Sequence, residues 1–213
     1  MADTVRNEAA IIALLADNSA GDISAQDIRD LQKSISQGGV IIEDGNAGFF
    51  AQGSGSTAGA VAAFGSFAQG KFTLAMPLGS FAQGQHATAS SANGSFAQGY
   101  GVSSSGDNGS FAQGQDTNAS GGSGSLAQGV SVLSSGGNGS FAQGSTATAT
   151  GSSGSFSQGN NTRANGNYGS FAQGYDTLAS ASSGSFSQGY KTTASGENGS
   201  FAQGRSSTAS TTR

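Results

Sequence analysis

A six-residue phrase, most often GSFAQG, returns eleven times between Gly48 and the end of the chain, and its spacing leaves few folds open. The third residues of the phrase are Phe50, Phe67, Phe81, Phe96, Phe111, Leu126, Phe141, Phe156, Phe171, Phe186 and Phe201, separated by 17, then 14, then eight steps of 15. A period of that length and strictness predicts a solenoid in which each repeat is one coil stacked on the last. The fold class expected is all-β: a solenoid of ~15-residue coils.

Glycine supplies 37 of 213 residues and charged residues only 9%, a mix that in other contexts describes a flexible linker. The recurring ring argues otherwise, because disorder places no requirement on every fifteenth position. Cysteine is absent, which excludes disulfides and thiolate metal sites. The acids are concentrated at one end: residues 1–44 hold eight of the twelve acids and three of the eight basic residues. The remainder is nearly neutral and lacks the basic stripe that phosphates require, so no nucleic-acid partner is expected.

Within the phrase, Phe and Gln fall on one face of an extended strand and Ser, Ala and the closing Gly on the other. A second small residue recurs eight positions after the ring, at Ala89, Ala119, Ala149, Ala164, Ala179, Ala194 and Ala209. This pattern suggests a flattened coil with two strands in which each ring faces an alanine. Phe67, Phe81, Phe96, Phe111, Leu126, Phe141, Phe156, Phe171, Phe186 and Phe201 would then form an internal ladder. Coils ~4.7 Å apart would give a rod roughly 50 Å long, with the glutamines forming an amide ladder along it. Burying a Phe contributes about 3 kcal/mol at most, while ordering a coil costs about 15 kcal/mol of backbone entropy. A lone chain is therefore poorly covered, and a homotrimer meeting on the Ser/Ala/Gly face is expected.

Residues 1–38 read as a helical anchoring segment. Ile12 and Leu15 lie on one helical stripe; Ser24 can cap a second helix that carries Ile28 and Leu31. Two such short helices need something to pack on, so these four residues are candidate partner contacts. Asp27 and Asp30 argue against a DNA-reading helix. The acidic start lacks the pattern of a signal peptide and its apolar run is too short to cross a bilayer, so synthesis in the cytoplasm without membrane insertion is expected. Residues 39–78 read as a transition with irregular first coils and residues 79–213 as the regular rod. In the transition, Phe72, Leu74, Met76 and Leu78 alternate opposite to the recurrent alanine, forming a second candidate contact patch.

Catalytic chemistry is hard to place. His86 is the only histidine, and Asp107, Asp116, Asp176 and Glu197 lie on different coils, leaving no carboxylate pair for glycoside hydrolysis and no recurrent calcium ligand. No enzyme activity, cofactor or metal is expected. Tyr100, Tyr175 and Tyr190 each follow a closing glycine, as surface rings would. An ice-binding surface would need a flat Thr-x-Thr face, yet the sixth position after the ring reads Ala87, Val102, Thr117, Val132 and Ala147.

The phrase SFAQG followed by a TTASG-like second half, as over Ser185 to Gly196, resembles the head repeat of trimeric autotransporter adhesins of the YadA type. Bacteriophage tail and virion proteins use related repeats, and ADNSAGDISAQDIRD, from Ala16 to Asp30, resembles an N-terminal stretch of phage structural proteins. The resemblance implies a left-handed parallel β-roll in a threefold bundle. Adhesins of that type carry a secretion signal and a C-terminal membrane barrel, neither of which is recognisable here, so the phage branch is favoured. The expected function is that of a non-enzymatic virion protein, made in the host cytoplasm and anchored by its N-terminus to a capsid or tail protein. Capsid decoration or cement is preferred slightly, with a tail fibre or stalk in host attachment as the alternative and a surface adhesin or ice-binding protein below both.

Overall fold

The computed structural model describes residues 40–44, 47–59, 65–76, 78–91 and 93–210. They form an all-β parallel solenoid, with no helix among the described residues. The helices expected before residue 39, with Ile12, Leu15, Ile28 and Leu31, lie outside them.

Each regular coil has three sides. The phrase supplies a five-residue strand, as at Phe81–Gln85 and Phe96–Tyr100; a two-residue strand follows, as at Thr88–Ala89; a single bridging residue, such as Asn93, closes the third side. Stacking produces a 12-stranded sheet of long strands and an 11-stranded sheet of short ones. Identical positions lie in register, so Phe81 pairs with Phe96, Ala82 with Ala97 and Gln83 with Gln98. The first strand, Val40–Asp44, breaks the parallel order and runs antiparallel to Ala47–Gln52. It covers the N-terminal edge of the longer sheet, an edge that would otherwise expose unpaired backbone groups.

The closing glycine of each phrase that has a further coil stacked on it is required by the stacking. At Gly99 φ is +135°, and a Cβ there would lie 1.9 Å from the carbonyl oxygen of Gly114 in the next coil. No side chain fits that approach, which is why the residue returns with every coil.

The irregular spacings leave the strands untouched. Phe50 pairs with Phe67 and Phe67 with Phe81 despite steps of 17 and 14 residues. Thr57–Ala58 likewise pairs with Leu74–Ala75, and Leu74–Ala75 with Thr88–Ala89, so the changes in length fall between a short strand and the next long strand.

The interior differs from the one expected. Ala82, Ala97, Ala112, Ala127 and Ala142 of the phrase are fully buried, as are Ala89, Ala119 and Ala149 of the short strand. Serines 80, 95, 110, 125, 140, 155, 170 and 185 line the same interior. The largest completely enclosed side chains are only Val102 and Val132, so the space inside a coil has no room for a benzyl ring. The ladder residues Phe67, Phe81, Phe96, Phe111, Leu126, Phe141, Phe156, Phe171 and Phe186 are half-buried on the outer face of the long strands, and Phe201 is 59% exposed. The small-residue face expected to meet partner chains is therefore the inside of the coil.

Candidate interaction surface

Alternation along the phrase decides what the long-strand sheet presents outward. With Ser and Ala pointing in, Phe and Gln point out, and in-register stacking repeats them once per coil. Phe50, Phe67, Phe81, Phe96 and Phe111 stack with ring centroids 4.7–4.9 Å apart. A second stack runs from Phe141 through Phe156, Phe171 and Phe186 to Phe201. Leu126 separates the two.

Beside the rings runs an unbroken amide ladder from Gln52 to Gln203. Gln69 Nε2 donates to Gln52 Oε1 at 2.8 Å, Gln98 Nε2 to Gln83 Oε1 at 2.7 Å, and Gln203 Nε2 to Gln188 Oε1 at 2.8 Å. Each internal amide thereby uses one of its two N–H groups and one of its two lone pairs on its neighbours. The rest of its capacity faces outward at every rung. The result is a flat stripe with an apolar column and a half-satisfied polar column at the same axial repeat. Burying the open half of each ring would contribute about 1 kcal/mol per rung.

The patch at the N-terminal end has similar character. Phe72 is 50% exposed and Leu78 36%, Leu74 and Met76 are half-buried, and the intervening Thr73 and Ala75 are buried. Phe72 stacks on His86 at 5.3 Å, and His86 meets Tyr100 edge-on at 6.3 Å. The lone histidine is thus exposed but held between two rings.

A cationic corner lies towards the other end. Tyr175 and Tyr190 stack at 5.2 Å, and Lys191 Nζ and Arg205 Cζ lie 5.5 and 5.7 Å from the Tyr190 ring centre. One face of the Tyr175 ring is thereby covered by Tyr190, and the Tyr190 ring also carries the two cations. An open groove of about 240 Å³ borders Asn161, Arg163, Asp176, Leu178 and Lys191. There the Asn161 amide donates to Asp176 Oδ1 at 2.6 Å. Among the described residues no three His, Asp or Glu side chains come together to hold a metal. The sixth-position residues Ala87, Val102, Thr117, Val132 and Ala147 are buried, so they contribute nothing to an outer threonine array.

Sequence reasoning placed the rings and glutamines on a common face but turned that face inward. It also missed a column of left-handed residues directly after the long strands, which includes His86, Asp116, Thr146, Asn161 and Lys191, all with φ of 50–55°. Its only sequence sign was Gly101 at the equivalent position of one coil.

No family model, curated protein or solved structure matches the chain.

Proposed function

We propose that this protein is a non-enzymatic structural rod that assembles as a parallel homotrimer through its Phe/Gln stripe and serves as a spike on a phage particle. The observation that carries the reading is the ring column itself: a half-exposed phenylalanine on nearly every coil, in line along one face. An isolated soluble chain gains nothing by presenting such a stripe. Copies of the same chain suit it, because only a partner with the same axial repeat can meet every ring and every unspent glutamine group at once. The thin coil supports assembly, since with alanines and serines inside, most of the large apolar area that could stabilise the rod lies on the stripe. The number three rests on the resemblance of the repeat.

The left-handed roll and the virion setting rest on the resemblance of the repeat and of the Ala16–Asp30 stretch to phage and adhesin sequences. In this reading the N-terminal segment, together with the Phe72–Leu78 patch, docks on a capsid or tail protein. Decoration of the capsid is preferred over a tail-fibre stalk. The test has two stages. Light scattering on the full-length protein should give three chains per particle, and Phe156→Ser combined with Phe171→Ser should lower that number. Quantifying the protein in purified virions then separates decoration, with hundreds of copies, from a fibre, with a handful; its absence from virions refutes the placement.

A further inference from the structure

Five Asn-Gly steps occur among the described residues, at Asn93, Asn108, Asn138, Asn165 and Asn198, and every one of these asparagines is exposed. Such a step can modify itself: the glycine nitrogen, after losing its proton, attacks the side-chain Cγ, ammonia leaves, and a five-membered succinimide forms. Water then opens the ring to aspartate or isoaspartate. Two things distinguish the five steps: Gly166 is buried whereas Gly94, Gly109, Gly139 and Gly199 are exposed, and the attacking nitrogens differ in their hydrogen bonds.

In four of them that nitrogen is bound into the stack. The N–H groups of Gly94, Gly109, Gly139 and Gly199 donate to the carbonyls of Leu78, Asn93, Ser123 and Ser183 in the preceding coil at 2.8–3.0 Å. These glycines also sit in the left-handed region, with φ of 53–61°. The Asn93 amide is further held by donating to Asn108 Oδ1 at 2.8 Å. Asn165 belongs to a different part of the coil, immediately after the short strand Arg163–Ala164. Its own N–H donates to Ala179 O at 3.0 Å, but the Gly166 N–H donates to no neighbour among the described residues. The Asn165 side chain likewise has no hydrogen-bond partner.

We propose that Asn165–Gly166 is the self-modification site of the folded rod, converting through a succinimide to aspartate and isoaspartate while the other four Asn-Gly steps are protected by inter-coil hydrogen bonds. The isoaspartyl product inserts one extra carbon into the main chain beside the Ala164–Ala179 pairing, which loosens that rung, and adds a carboxylate two residues from Arg163. The position lies off the Phe/Gln stripe, so it does not depend on the assembly proposed above.

The test uses the intact protein held at mildly alkaline pH. Trypsin cuts after Arg163 and Lys191, so Asn165 travels apart from the other four steps and its gain of about 1 Da is read alone by mass spectrometry. An inter-coil hydrogen bond of ordinary net strength corresponds to roughly tenfold, so Asn165 should convert at least that much faster than any of the others. In denaturant all five should converge, because their local sequences are alike. Asn165→Gln should abolish the early product without altering assembly. The proposal fails if, in the folded protein, Asn165 converts no faster than the other four, or stays intact for as long as the unfolded chain takes to convert fully.

Discussion

Inside one coil, Ser157 Oγ lies 2.8 Å from Thr162 Oγ1 and 2.9 Å from the Thr162 carbonyl oxygen. Ser187 and Thr192 repeat the hydroxyl contact at 2.8 Å. These are the two coils whose phrase reads SFSQG in place of SFAQG, so the variable fourth position is coupled to the threonine it faces. Alanine is retained opposite a threonine at Ala68, Ala112 and Ala172: Thr73 donates instead to Ser56 Oγ of the preceding coil at 2.9 Å, while the hydroxyls of Thr117 and Thr177 are buried without a partner. Ala112→Ser and Ala172→Ser should each raise stability by about 1 kcal/mol, and Ser157→Ala should lower it by a similar amount. Thermal or denaturant unfolding of the single variants checks this.

A second pair of columns follows the same rule in part, since beside Ala89 and Ala164 the hydroxyls of Ser95 and Ser170 reach Ser80 Oγ and the Gly166 carbonyl instead. Ser104 and Ser134 on the short strands meet Ser110 and Ser140 at 2.7 Å, whereas the hydroxyls of Ser125, Ser155 and Ser185, in coils carrying Ala119, Ala149 and Ala179, are unpaired. Ala119→Ser, Ala149→Ser and Ala179→Ser should therefore be stabilising, with gains that add because the sites lie on separate coils. A loss of stability in all three would mean that the interior has no room for the added oxygen.

Much of this was legible in the sequence and one decisive part was not. The period gave the coil, the in-register parallel stacking and the glutamine ladder, because each follows from repetition alone. The irregularity between Ala58 and Leu78 was also visible, as a change of spacing. Which face of SFAQG points inward was not, because alternation fixes only that Phe and Gln share a side. The usual preference for burying the largest apolar group points one way and the size of the enclosed space points the other. Space decides, since an interior filled by Val102 and Val132 at its widest cannot take a ring. The left-handed column was hidden for a different reason: His86, Thr146 and Lys191 carry no common side-chain chemistry.

That column has its own consequence. Thr146 is β-branched and holds φ at 55°, a conformation that costs an ordinary residue about 1–2 kcal/mol. Thr146→Asn should raise the melting temperature, since Asn tolerates this region while restricting the unfolded chain more than Gly does. The same replacement at Gly101 should be close to neutral, because the nearest atom to a new Cβ is Asp116 Oδ1, the end of an exposed side chain that can turn away.

The closing glycines differ by place in the stack. Gly99→Ala forces a methyl group onto the Gly114 carbonyl and should cost more than about 3 kcal/mol or undo the local rungs. At Gly204 the nearest group to a new Cβ is Ser207 Oγ at 3.5 Å, so Gly204→Ala should cost only the backbone strain of its φ of +112°, about 1–2 kcal/mol. Hydrogen exchange around each site would report the difference as local opening.

The outward ring column is the foundation of the functional account, and the mass of the full-length protein in solution by light scattering tests it most directly. The account predicts three times the 20.7 kDa chain mass, falling towards one when Phe156 and Phe171 are both replaced by serine. A well-folded monomer that keeps its solubility and stability with the rings open to water would contradict it.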